Sequence, residues 1–90
     1  MTTKKYTFIE STLSAQQAQE MLMEVYAAKI TFHQMRNFSH MERFGKNDRT
    51  ALRRINALKK DMVTLKKAIT KAAQKEKMIC VTSDIQITII

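Results

Sequence analysis

Along residues 47–77 apolar side chains recur at alternating steps of four and three: Ala51, Ile55, Leu58, Met62, Leu65, Ile69 and Ala72. This is the spacing of a helix with one packed seam, and most positions between are charged or polar. It predicts a long helix over residues 48–77, begun by Asn47 or Asp48 as N-cap and helped by Lys75 and Lys77 near the negative end of its dipole. A single seam requires a partner. Residues 14–37 offer one, because Met21, Val25, Ala28, Phe32 and Met35 keep the same spacing. Ala18, Leu22, Tyr26 and Ile30 widen that arc into a second apolar face. The first row is expected to meet the other helix; Leu22, Tyr26 and Ile30 are expected to meet a sheet or a second subunit.

Both ends of the chain alternate with period two. Residues 4–12 place Tyr6 and Phe8 on one face and Lys5 and Thr7 on the other, and residues 78–90 set Ile79, Val81, Ser83, Ile85, Ile87 and Ile89 against Cys80, Thr82, Asp84, Gln86 and Thr88. Both read as strands. Between the first strand and the first helix, Ser14 is an N-cap candidate with Gln17 three positions later and Leu13 as a staple against Ala18. The pattern changes at Asn37, where a break is expected. The connecting turn over residues 38–47 then contains a small capping box in Ser39 and Glu42, Phe38 and Phe44 to plug the hairpin end, and Gly45 as a left-handed stop.

The predicted fold is therefore one α+β domain over residues 1–90: a long antiparallel helical hairpin flanked by N- and C-terminal β-strands, β-α-α-β. Adjacent strands would run antiparallel. A lone two-stranded ribbon is marginal in water, so it either lies on its own helices or is completed by a homodimer; the second is favoured. In this order of elements, with Asn37-Phe38-Ser39 and Arg43-Phe44-Gly45-Lys46 between the helices, the chain resembles short uncharacterised bacterial proteins. The likeness spans most of the chain. It implies the same strand-helix-helix-strand plan and transfers no functional residue.

Composition narrows the function. One Gly and no Pro leave little material for loops, and ninety residues bury a small core, which favours self-association. Cys80 is alone, so no internal disulfide forms, and a reducing, cytoplasmic setting is expected. No signal-peptide pattern and no apolar run of roughly 18 residues argue against membrane insertion. The net charge of +8 lies wholly within residues 46–77, where eleven Lys and Arg face three acids. Arg53, Lys60 and Lys67 recur every seven residues opposite the seam, flanked by Lys59 and Lys66, as one stripe able to follow a phosphate backbone. A solvated helix face is also lysine-rich, and no aromatic side chain interleaves the stripe for base stacking.

His33 and His40, with Glu42 nearby, form an incomplete ligand set, so no metal is expected. Glu20 and Glu24 lie one helical turn apart, a spacing typical of solvent-facing carboxylates. No glycine-rich phosphate loop and no nucleophile with a base is present, so neither catalysis nor a cofactor is expected. Met21, Met23, Met35, Met41 and Met62 suit either core filling or an adaptable surface, with Met23 the candidate for exposure. The sequence thus favours a small non-catalytic interaction or structural protein acting as a homo-oligomer through Leu22, Tyr26, Ile30, Val81, Ile85, Ile87 and Ile89. The alternative is weak, sequence-indifferent nucleic-acid binding through Arg53, Lys59, Lys60, Lys66 and Lys67.

Overall fold

The computed structural model describes residues 2–90 as β1 (Thr2–Leu13), α1 (Ala15–Phe44), α2 (Arg49–Gln74) and β2 (Ile79–Ile89). The β-α-α-β plan is the expected one. The helices form a hairpin, and the strands pair as one antiparallel ribbon running from Thr2↔Ile89 to Leu13↔Ile79.

Local chemistry explains the element ends. Ser14 Oγ accepts from the Gln17 backbone N–H at 3.2 Å while Gln17 Oε1 accepts from the Ser14 N–H at 3.1 Å, so the capping box starts α1 as expected. Asp48 caps α2, its Oδ1 accepting from the N–H groups of Thr50 and Ala51. Gly45 ends α1 at φ +70°, the left-handed conformation that glycine adopts without a Cβ clash.

Two boundaries differ from expectation. Helix α1 does not break at Asn37 but continues for two further turns to Phe44, leaving a connection of only four residues. The reason lies across the hairpin. Asn37 Oδ1 accepts the Asp48 N–H at 2.7 Å and its Nδ2 donates to Asn47 Oδ1 at 3.1 Å, so its side chain ties down the start of α2 and does not compete with its own helix. Ser39 is consequently an interior helical residue and caps nothing. At the other end, α2 stops at Gln74, short of residue 77, because Glu76 turns left-handed at φ 53°. The Lys77 N–H then reaches the Ala72 carbonyl and the Glu76 N–H the Ala73 carbonyl, a Schellman closure made without glycine.

The core is small and lies wholly between the helices. The buried residues are Ala18 and Ile30 of α1 and Ala51, Ile55, Leu58 and Ile69 of α2; Ile30, Ile55 and Leu58 pack together, with Tyr26 and Met62 against them. Every buried residue of α2 belongs to the expected seam. On α1 the two apolar faces exchange roles: Tyr26 and Ile30 form the hairpin contact, while Phe32 and Met35 are exposed. Ile30 is therefore core and not an outward interface residue.

No strand residue is buried, and the molecule is one layer thick, with extents of 50 × 33 × 14 Å. Its radius of gyration is 16.4 Å, against about 12 Å for a compact chain of this length.

Candidate interaction surfaces

The register makes the ribbon two-faced. Cross-strand partners share a side, so Leu13↔Ile79, Ser11↔Val81, Ile9↔Ser83, Tyr6↔Ile85 and Lys4↔Ile87 lie on one face. The opposite face pairs Thr3 with Thr88, whose hydroxyls are 3.1 Å apart, and holds Lys5 and Asp84 as an ion pair at 3.9 Å. A β-bulge at Phe8, the extra residue between Thr7 and Ile9, brings Phe8 and Ile9 both to the apolar side.

That apolar side faces the helices without closing on them. Between ribbon and hairpin lies an open wedge of about 1170 Å³, walled on the ribbon by Phe8, Ile9, Ile79, Val81 and Ile85. On the helices it is walled by Leu22, Val25, Tyr26, Phe32, Leu58 and Leu65, and among the described residues Lys29 is the only charged side chain lining it. Near the junction with the helices the ribbon residues Ile9, Leu13, Ile79 and Val81 are half-buried; toward the far end Tyr6, Ile85, Ile87 and Ile89 are exposed, Ile89 at 66%. Leu22, Tyr26, Val81 and Ile85, proposed from sequence as interface residues, thus meet in one cavity. Ile87 and Ile89 extend its ribbon wall outward.

A second apolar surface escaped the sequence reading. Phe32, Met35, Phe38, Met41 and Phe44 step by three along α1 and all are exposed, Met35 at 61%. Phe38 and Phe44 do not plug the hairpin end, because Asn37, Asn47 and His40 already close it with hydrogen bonds. The signal was a strict interval of three, which winds around a helix and so cannot all face one partner helix. Met23, the methionine expected to be exposed, is half-buried in a shallower groove between the start of α1 and the end of α2.

Arg53, Lys59, Lys60, Lys66 and Lys67 are all exposed on α2, away from its buried seam. Among the described residues the Lys5–Asp84 contact is the only ion pair, so these five cations have no carboxylate partner. Their field is therefore unneutralised on that side of the molecule.

The histidines serve the hairpin. A carbonyl can only accept, so His40 Nδ1 carries the proton that it donates to the Lys46 carbonyl at 2.9 Å. The Nε2 of His33 is shut off from solvent with no hydrogen-bond partner. Desolvation lowers its pKa below the ordinary 6.5, and Lys29, Arg54 and Arg36 lower it further. Among the described residues no three His, Cys, Asp or Glu side chains come together as a metal site, and no helix is long and apolar enough to cross a membrane. Compared with known proteins, the chain matches no family model, no curated protein and no solved structure.

Proposed function

We propose that the chain is a small non-catalytic interaction protein that works as a homo-oligomer. The observation that carries this reading is its surface. A compact monomer of 10.5 kDa exposes about 5,400 Å², whereas this chain exposes 7347 Å². Stable domains pack at least two layers around a core, and a single layer with one apolar side lacks the second. A further copy supplies it at no cost in new sequence. Light scattering at low micromolar concentration tests this: the expected mass is a small multiple of 10.5 kDa, and a well-folded monomer overturns it.

The second reading is nucleic-acid binding through Arg53, Lys59, Lys60, Lys66 and Lys67, favoured by their exposure and lack of acidic partners. Point charges without a base-reading element give weak, salt-dependent, sequence-indifferent binding. Titration with duplexes of two sequences at two salt concentrations checks it, with Lys60→Glu plus Lys67→Glu expected to abolish binding while helicity is retained.

A further inference from the structure

The wedge and the ribbon tip are two incomplete structures in one chain. The wedge has apolar walls on both sides and nothing between them. Where the wedge opens, at Ile85 and past it, the tip carries Tyr6, Ile87 and Ile89 exposed and outside the wedge walls. We propose that each wedge receives the ribbon tip of a second copy of the same chain, the two related by a two-fold axis, so that the ribbons clasp between the two hairpins. The arrangement presupposes that the chain self-associates, and it specifies by which surface.

Three observations select a second copy as occupant. The first is self-complementarity: a two-fold operation fills both wedges and covers both tips in a single event, because each chain offers what the other lacks. The second is area. The surface in excess of a compact monomer is about 1,900 Å² per chain, or about 3,800 Å² for two, inside the range of obligate homodimers. The third is charge. Each chain carries +8, and two such chains repel unless their cations stay apart. Among the described residues only Lys29 lines the wedge and only Lys4 stands among the tip's apolar residues, while Arg53, Lys60 and Lys67 lie on the opposite side of α2 from its seam. Docking through the wedge keeps the basic stripes on the outside of the pair. An edge-to-edge sheet without exchange leaves the wedge empty.

The test separates self-association from the manner of it. Light scattering on the unaltered chain is expected to give twice 10.5 kDa; a monomer at low micromolar concentration overturns both claims. In a mixed sample of isotope-labelled and unlabelled chains, intermolecular nuclear Overhauser contacts are expected from the methyls of Ile87 and Ile89 to Val25 and Phe32. A dimer whose intermolecular contacts run only along strand edges, or through the Lys60 face, overturns the clasp and leaves self-association standing. Ile87→Asp and Phe32→Asp each change a side chain that is about half-exposed in the single chain, so each should weaken the dimer roughly 100-fold or more, as for a central interface residue, with helical circular dichroism retained. An unchanged dissociation constant in either variant refutes the proposal. Should a variant lose its fold, the contacts measured on the unaltered chain decide.

Discussion

The helical hairpin buries Ile30, Ile55, Leu58 and Ile69 between its own two helices, whereas the ribbon, whose apolar face is at least as rich in isoleucine, buries nothing. Both regions are regular along their backbones, the helices by their own ladders and the strands by pairing with each other. They differ in what covers their side chains. Two helices joined by four residues can turn their stripes toward each other, so the hairpin satisfies its hydrophobic requirement within one chain. A two-stranded ribbon turns all its apolar residues to one side, and covering that side takes another layer. Intramolecular burial therefore stabilises one region, and the other is left as surface for assembly.

The largest test of this contrast pairs two aspartates. Leu58, 8% exposed, lies in the centre of the seam. Leu58→Asp should cost about 3–5 kcal/mol, from the lost packing and an unpaired buried charge, and abolish the far-UV helical signal. Ile87→Asp, at a half-exposed position, should shift the stability of the monomeric chain by about 0.5 kcal/mol or less. Equal losses from both would erase the distinction between the regions.

Next in size is the hairpin's closure. Asn37→Ala removes two hydrogen bonds and leaves the part-buried Asp48 N–H without its acceptor, an expected loss of about 1–3 kcal/mol in denaturant unfolding. An unchanged midpoint would show that the seam alone holds the hairpin. In the opposite direction, Glu76→Gly relieves a left-handed non-glycine residue at the α2 terminus. A gain of about 0.5–1 kcal/mol is expected, since the relief of roughly 1–2 kcal/mol is partly offset by the freer unfolded chain.

The smallest effect is that of pH, through His33. Its folded pKa lies below 6.5, so below that value the unfolded chain takes up the proton more readily than the folded one. Stability is then full above about pH 6.5 and is lost as pH falls from there toward the folded pKa. Thermal melts of His33→Leu should show a shallower fall between neutral and mildly acidic pH than the unaltered chain; an identical slope would show that His33 does not carry the dependence.

The seam of α2 was legible because its apolar residues form one stripe against a charged background, which leaves periodicity a single solution. Helix α1 is apolar over most of its circumference. The row Met21–Val25–Ala28–Phe32–Met35 and the row Ala18–Leu22–Tyr26–Ile30 fit a packed face equally well, and spacing cannot choose between them. Packing chose the second row, where Ile30 packs with Ile55 and Leu58 and Tyr26 lies against them. Asn37 misled for a related reason: its helix-breaking tendency is a local property, and its partners lie ten and eleven residues away. The basic stripe was readable as exposed because it lies on the side of α2 opposite a single apolar seam. The wedge was not, since its volume depends on the angle at which ribbon leaves hairpin, and no residue pattern encodes that angle.

The bulge at Phe8 acts as a change of parity. Before it, the even-numbered residues Lys4 and Tyr6 share the isoleucine side; after it, the odd-numbered Ile9, Ser11 and Leu13 do. One inserted residue thus brings two out-of-phase halves of a strand into agreement. Deleting Phe8 would leave every other pair as it is, whereas closing the bulge with Phe8 kept in the ladder and residues 9–13 held in place would restore simple alternation and turn the far half of the strand over. Lys5 and Thr7 would then stand opposite the isoleucines, and Tyr6 would join the threonines. A one-residue slip in a surface ribbon would in this way act as a frameshift in space, with every residue kept and the sidedness of the arm reversed.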